Sequence, residues 1–270
     1  MYGYFFNHAQ VKRVKAGKEN ISMAKITNVL ISQPEPMARS PYFSLAKKFG
    51  FELEFQPFIE VERVSNKEFR KQRVDLNNYS AVTFTSRNSM DFYFQMMEEM
   101  RATVSQETKY FCMSEAIALY LQKYIQYRKR KVFYANGTFD DFQNLLLKYK
   151  AAAGTFLVPC PDVRNDKLAT FLTDEGFDYK ECVMYRTVSA KLSEMDIAKY
   201  NMIVFFSPLG VESLFENFPN FKQGETHIAG FGPTTCQRIQ ELGLTLNLCA
   251  PMPEARSMSA ALERYLERIS

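Results

Sequence analysis

The sequence predicts an α/β protein of two domains, each built on a parallel sheet with helices on both faces. Apolar segments of strand length alternate with amphipathic segments of helix length along most of the chain. Residues that cap helices stand at the junctions between these segments. In addition, one stretch of the chain repeats another, which indicates two similar domains.

The first strand is predicted at residues 26–31, and a helix is predicted to begin at Ser40-Pro41 and to end at Gly50. A serine can cap the free N–H groups of a helix, proline fits the first helical position, and glycine suits the exit. An extended segment follows at residues 51–58. After a charged stretch at residues 60–75 the alternation resumes.

The resumed alternation predicts strands at residues 81–85, 110–113, 131–134 and 155–158 and helices at 88–100, 115–127, from Thr138, and 166–174. Asp141, three residues after Thr138, predicts a capping box. A third stretch has the same character, with strands at residues 202–206, 227–231 and 244–248 and helices at 210–218, 234–242 and 257–269.

The third stretch also resembles the second in sequence. Residues 84–90 align with 205–211 at an offset of 121 positions, and residues 113–118 align with 231–236 at an offset of 118. Because the first βα unit precedes the earlier copy, one domain must be assembled from both chain ends. Two connectors then run side by side, and the candidates are residues 55–64 and 182–188.

These observations divide the chain into an N-terminal extension and two domains. Domain 1 is expected to consist of residues 23–57 and 186–270, and domain 2 of residues 58–185. Residues 1–22 precede a second methionine and carry +3 of the formal net charge of +4, so we interpret them as a disordered extension without function. The rest of the chain is nearly neutral, which gives no support for a nucleic-acid partner.

Composition excludes several other classes. With 46% hydrophobic and 24% charged residues, the chain is not expected to be mainly disordered. It contains no run of 18 apolar residues, so no membrane-spanning helix is predicted. The N terminus lacks the apolar core of a signal peptide. The chain has five scattered cysteines without a C-x-x-C pair and only two histidines. This pattern predicts neither a zinc site nor a disulfide framework. We therefore expect reduced thiols in a cytoplasmic protein.

The turns after four predicted strands favour anion binding. Each places small or hydroxylated residues where helix N-termini present free N–H groups, at the carboxyl ends of the strands. These turns are Thr85-Ser86-Arg87, Met113-Ser114-Glu115, Ser207-Pro208-Leu209 and Gly232-Pro233-Thr234-Thr235. Simple helix capping is the alternative for each serine. No nucleophile–base–acid set is recognisable, so an enzyme with this sequence would act by orienting a reactive substrate.

Three further features have ordinary interpretations. The segment from Gly230 to Thr235 resembles half of a dinucleotide fingerprint but lacks its last glycine, so a nucleotide-dependent transferase is a weak alternative. The basic run at residues 128–131 is expected to be a solvated turn, with a binding patch as the alternative. His227 is expected to be structural.

The chain from Lys25 onward resembles the uroporphyrinogen-III synthase family. The clearest block runs from Ile228 to Thr235, and the order and spacing of the other blocks match, namely residues 84–88, 183–187 and 204–211. The resemblance implies two flavodoxin-like parallel-sheet domains joined by a two-stranded linker, with the active site in a central cleft. It also implies a lyase of tetrapyrrole and haem biosynthesis that uses no cofactor or metal. The sequence leaves the oligomeric state open, and we take a monomer as the default.

The implied reaction is the cyclisation of hydroxymethylbilane to uroporphyrinogen III, with inversion of the terminal pyrrole ring and loss of water. This small molecule is the expected partner, with transient hand-over from the preceding pathway enzyme and no contact with nucleic acid or a membrane. Enzyme-free closure gives the uninverted isomer, so the protein must select the geometry of a spiro-like transition state. A non-catalytic two-domain sensor of an anionic metabolite is the alternative.

Site residues follow from the matching positions. Tyr185 matches the linker tyrosine proposed as the acid that helps hydroxide depart, with a core tyrosine as the alternative. Substrate contacts are expected at Ser207, Pro208, Gly232, Pro233, Thr234, Thr235, Ser86, Arg87 and Ser114. Many family members have arginine after the first strand, where this chain has Gln33, so we expect Arg39 or Arg87 to replace it.

Overall fold

The computed structural model describes residues 26–36 and 39–269, and the predicted extension at residues 1–22 lies outside them. The strands are β1 Asn28–Ile31, β2 Glu52–Phe55, β3 Ile59–Arg63, β4 Ala81–Phe84, β5 Lys109–Cys112, β6 Val132–Tyr134, β7 Phe156–Pro161, β8 Tyr179–Ser189, β9 Met202–Phe205, β10 His227–Phe231 and β11 Leu246–Ala250. The α-helices are α1 Pro41–Phe49, α2 Asn66–Lys71, α3 Arg87–Glu99, α4 Glu115–Tyr120, α5 Phe139–Ala153, α6 Lys167–Asp174, α7 Pro208–Asn217, α8 Pro233–Glu241 and α9 Met258–Ile269.

The strands form two sheets. Sheet A has the order β11-β10-β9-β1-β2, and all of its pairs are parallel. Sheet B has the order β3-β8-β7-β4-β5-β6, and only the β3–β8 pair is antiparallel. The predicted α/β class with parallel sheets is confirmed.

Both sheets have the same order of parallel strands, although the strand that comes first along the chain has a different place in each sheet. Sheet A reads β2-β1-β9-β10-β11, which is the flavodoxin order 2-1-3-4-5. Sheet B reads β8-β7-β4-β5-β6 and gives the same order if β7 counts as the first strand. Strands β4 and β5 therefore occupy the places of β9 and β10, as the sequence repeat predicts.

Helices cover both faces of each sheet, because the strands are apolar on both sides. In sheet A, Leu45 of α1 and Leu262 of α9 pack on one face, and Leu214 of α7 and Ile239 of α8 pack on the other. The two faces of sheet B are covered in the same way. Met90 of α3 and Ala118 of α4 belong to one core cluster, and Phe142 of α5 and Leu172 of α6 belong to the other.

The two predicted connectors do run side by side. Strand β3 pairs antiparallel with the end of β8, from Ile59 opposite Ser189 to Arg63 opposite Tyr185. Helix α7 packs against this pair, and Phe58 meets Phe205 of β9 edge to face at 5.4 Å between ring centroids. The stretch 60–75, to which the sequence assigned no element, contains most of β3 and helix α2.

Two local predictions at helix ends are wrong. The helix predicted at residues 115–127 ends at Tyr120, and one 3₁₀ turn, Leu121–Lys123, follows it. The capping box at Thr138 is half formed, because the Thr138 hydroxyl accepts from the Asp141 N–H at 3.3 Å. The Asp141 carboxylate accepts instead from the Asn136 N–H at 2.7 Å, and the Thr138 N–H donates to the Asn136 side chain.

The expectation of reduced thiols throughout is also wrong. Cys236 and Cys249 form a disulfide with their Cα atoms 5.9 Å apart. The cause is topological, since α8 begins at the edge of sheet A where its neighbour β11 ends, so residues 13 positions apart meet. Cys112, Cys160 and Cys182 are free and buried.

Candidate active site

The strand order of each sheet reverses at one point, between β1 and β9 in sheet A and between β7 and β4 in sheet B. In open α/β sheets, ligands bind beyond the carboxyl ends of the strands at such a point. Sheet B has a cavity of about 630 Å³ there, which we call the switch-point cavity. Its wall includes Ser86 after β4, Cys160 in β7, Arg164 after β7, and Tyr185 in β8.

Tyr185 is held firmly in this wall. Its side chain is buried, and its ring stacks on Phe92 of α3 with ring centroids 5.0 Å apart. Burial raises the pKa of the Tyr185 phenol, and a hydrogen bond with the Ser86 side chain opposes part of that shift. The phenol is therefore protonated at neutral pH and has a proton to donate into the cavity.

The serines of the predicted turns are helix N-caps, as the simpler interpretation expects. Ser86 accepts a hydrogen bond from the Ser89 N–H at 3.1 Å, and Ser207 accepts one from the Gly210 N–H at 3.1 Å. Ser114 caps α4 in the same way. A capping hydroxyl uses its oxygen as acceptor and keeps its own proton, so Ser114 and Ser207 can still donate to an anion. The Ser86 hydroxyl is already hydrogen-bonded to Tyr185.

The turn before α8 is different, because it has no side-chain cap. Gly232 has φ +90° and ψ 146°, a conformation that suits glycine, and the side chains of Pro233 and Thr234 are exposed while Thr235 is buried. The first N–H groups of α8 are consequently left without a side-chain acceptor. Such a terminus, with the positive end of the helix dipole, suits a carboxylate.

The two predicted arginines lie outside the switch-point cavity. Arg87 is exposed at the first position of α3, and its guanidinium lies 5.1 Å from the centre of the Tyr120 ring. Arg39 lines a separate groove of about 440 Å³ between α1 and α9. Of the predicted site residues, Ser86 and Tyr185 come together in the switch-point cavity, and Ser207 and the Gly232 turn stand at the corresponding edge of sheet A.

Sequence reasoning missed an ion pair in the cavity wall. Arg164 binds Glu181 of β8 with two hydrogen bonds, of 2.8 Å from Nε and 2.7 Å from Nη2. This pair ties the loop after β7 to the strand that carries Tyr185. The sequence carries no signal for this pair, because Arg164 and Glu181 meet only when β7 pairs with β8.

Cys160 also lines the cavity, but its chemistry is that of a buried thiol. Burial raises its pKa to about 11, so it is not a thiolate at neutral pH. Within residues 26–36 and 39–269, no group of three His, Cys, Asp or Glu side chains is placed to hold a metal ion. The same ranges contain no helix long and apolar enough to cross a membrane.

Comparison with known proteins decides the family. A family model described as uroporphyrinogen-III synthase HemD matches residues 40–260. The chain belongs to the uroporphyrinogen-III synthase family. Membership supports a role in tetrapyrrole biosynthesis, and it agrees with the resemblance that the sequence blocks carry.

Solved structures of uroporphyrinogen III synthases match most of this chain. The uroporphyrinogen-III synthetase of Helicobacter pylori 26695 has a TM-score of 0.52 and 18% sequence identity, over 90% of this chain and 100% of that chain. A uroporphyrinogen III synthase of Thermus thermophilus has a TM-score of 0.41 and 15% identity, over 90% and 99% of the two chains. A search of curated proteins finds no significant match. The Helicobacter pylori structure supports the two-domain fold.

Proposed function

We propose that this protein cyclises hydroxymethylbilane to uroporphyrinogen III, with inversion of the terminal pyrrole ring and release of water. The proposal rests chiefly on the family match over residues 40–260. The place of Tyr185, a buried and protonated phenol in the wall of the switch-point cavity, agrees with the acid role that the family resemblance implies.

Substrate binding is assigned to the carboxyl ends of both sheets. Hydroxymethylbilane carries several acetate and propionate groups, which are ligands for N–H groups and hydroxyls at helix N-termini. On sheet A, the contacts come from Ser207, Pro208 and the turn from Gly232 to Thr235. On sheet B, Ser86 and Ser114 cap the helices that face the substrate, and Arg87 supplies a guanidinium free to bind a carboxylate.

Tyr185 acts as the acid in the first step. Its hydroxyl gives a proton to the departing hydroxide, so water leaves and an azafulvene forms. The substituted carbon of the terminal pyrrole then attacks to form the spiro intermediate, which fragments and recloses with the ring turned round. Because the whole reaction releases only water, the tyrosinate must regain its proton from the substrate before the next turnover.

The two domains are proposed to close on the substrate from opposite sides. We assign residues 23–57 and 186–270 to domain 1 and residues 58–185 to domain 2, with the β3–β8 pair as the linker. In support, sheet A is built from residues 28–55 and 202–250, while β8 continues past the boundary to Ser189 as a linker strand. A two-stranded linker resists bending weakly.

The test is the isomer of the product. Purified protein is incubated with hydroxymethylbilane, the products are oxidised, and the type III and type I porphyrins are separated by chromatography. We expect mainly type III, formed faster than in a buffer control. Type I alone at the spontaneous rate would reject the synthase function and favour a non-catalytic sensor.

A further inference from the structure

A second cavity, of about 260 Å³, lies at the opposite edge of sheet B from the switch-point cavity. Tyr110 near the start of β5 and Val132 at the start of β6 line it, together with the segments that follow α3 and the 3₁₀ turn. We call it the amino-end cavity. The residues that line it are not among those of the switch-point cavity, so the two sites are separate.

The charged part of its wall is positive. Arg128 and Lys131 both line the cavity, and among the described residues no acidic side chain does. Lys131 is paired with Glu107 at 2.5 Å, but the Glu107 side chain is 81% exposed. Arg128 donates to the neutral side-chain oxygen of Gln106 at 3.3 Å and has no ion pair with a residue of the described ranges. The Glu107 carboxylate is near enough for the Arg128 charge to lower its pKa, but its strongest partner is Lys131, so within the described part of the chain the guanidinium has no direct carboxylate contact and can bind an incoming anion.

The rest of the wall combines apolar side chains with neutral polar ones, namely Ser105, Gln106, Thr108 and Gln126. Val104, Ile125 and Val132 are the aliphatic residues that line the cavity. Tyr110 is buried and also lines the cavity.

We propose that the amino-end cavity binds a small carboxylic acid with a single flat ring. The carboxylate lies at Arg128, and the ring packs against Val104, Ile125 and Val132. The volume is below the range of about 300–1,000 Å³ that drug-sized ligands occupy, so a tetrapyrrole is too large. The site does not depend on the proposed synthase function, because it lies at the other edge of the sheet.

The experiment uses benzoate as the probe and benzamide as a neutral molecule of the same shape. Binding to the full-length protein is measured by isothermal titration calorimetry. We expect benzoate to bind at least about 10-fold more tightly than benzamide, because only benzoate carries a charge for Arg128. Equal affinities, or no benzoate binding up to about 10 mM, would overturn the proposal and leave a cavity that holds only water.

Variants locate the site. Arg128→Gln is expected to weaken benzoate about 10-fold or more and to leave benzamide unchanged. Arg130→Gln is the matched control, since Arg130 is an exposed cation in the same run that does not line the cavity. Val104→Phe fills the cavity and should abolish binding of both probes. An equal loss in Arg128→Gln and Arg130→Gln would show general charge attraction and reject the site.

Two checks make the result independent of folding and of catalysis. Circular dichroism and thermal unfolding confirm that each variant is folded before its affinity is read. Tyr185→Phe, which changes the other cavity, should bind benzoate as the wild type does. Retained benzoate binding in a protein that yields only type I product would reject the synthase function and leave the amino-end site standing.

Discussion

The rings of Phe92 and Tyr185 stack with centroids 5.0 Å apart and planes inclined by 19°, so helix α3 fixes the orientation of the phenol on strand β8. Tyr185→Phe keeps this stack and removes the acid together with its hydrogen bond to Ser86. We expect turnover to fall by about 10² or more while the ratio of type III to type I product is retained, because orientation and proton donation are separate tasks. Steady-state rates and product chromatography measure the two effects. Loss of inversion at an unchanged rate would contradict the assignment.

The partner ring gives a complementary variant. Phe92→Leu keeps the Tyr185 phenol but removes the ring that holds its orientation. We therefore expect a smaller loss of turnover than in Tyr185→Phe, on the order of 10-fold. Phe43→Leu is the control, since Phe43 packs on Phe55 at the edge of sheet A, where it makes an edge contact at 5.7 Å between centroids. A similar rate loss in both variants would show that the effect comes from stability and not from orientation.

Gly232 sets the geometry of the uncapped turn before α8. An alanine Cβ there would meet no atom within 4 Å, so the strain of Gly232→Ala comes from the backbone at φ +90° alone. We expect a loss of about 1–3 kcal/mol in the free energy of unfolding and a raised KM for hydroxymethylbilane. Gly50→Ala, at φ +72° with open space around it, should lower stability without changing KM. An unchanged KM in Gly232→Ala would remove this turn from the binding site.

The disulfide between Cys236 and Cys249 ties the first turn of α8 to β11. It closes a loop with a sequence separation of 13, so reduction should lower the free energy of unfolding by about 3 kcal/mol. Urea unfolding with and without a reducing agent measures the change, and the double variant Cys236→Ser, Cys249→Ser should not respond. Thiol titration in denaturant should find three thiols before reduction and five after it, in line with three free cysteines of five. Five thiols before reduction would contradict the bond.

Acid should destabilise the linker through Glu68. Its hydrogen bond to Arg186, at 2.6 Å, and its bonds to Ser65 lower the Glu68 pKa from the ordinary 4.5 to about 2. The stabilisation is therefore complete above pH about 4.5 and is lost as the pH falls towards 2. Glu68→Gln should show a shallower loss of stability over this range in denaturant titrations at several pH values. Glu62→Gln, whose carboxylate lies 3.8 Å from Arg186, should behave like the wild type.

Local rules predicted much of the fold. Capping by Ser40, Ser86, Ser114 and Ser207 depends on residues within one helical turn. The four helices that these serines cap therefore begin where the sequence predicts them to within about two residues. The sequence repeat also predicted correctly that β4 and β5 of sheet B occupy the same places in the strand order as β9 and β10 of sheet A.

Features that depend on distant partners were not predicted. Strand β3 is mostly exposed and charged, and it is a strand because it pairs with β8, more than 120 positions along the chain. The Arg164–Glu181 pair and the Cys236–Cys249 disulfide likewise join neighbouring elements that meet only when the sheets are assembled. Of the residues that line the switch-point cavity, the sequence pointed to Ser86 and Tyr185, while the ion pair and the thiol of its wall needed the strand order.

The position of β1 between β2 and β9 determines the order in which the two sheets can form during translation. All strands of sheet B have been synthesised when Ser189 emerges, so that half of the molecule can fold while translation continues. The β1–α1–β2 unit is made first but must wait for Met202–Phe205 before β1 gains its second neighbour. During that interval the nascent chain exposes an unpaired apolar strand edge, which is a template for association with another chain.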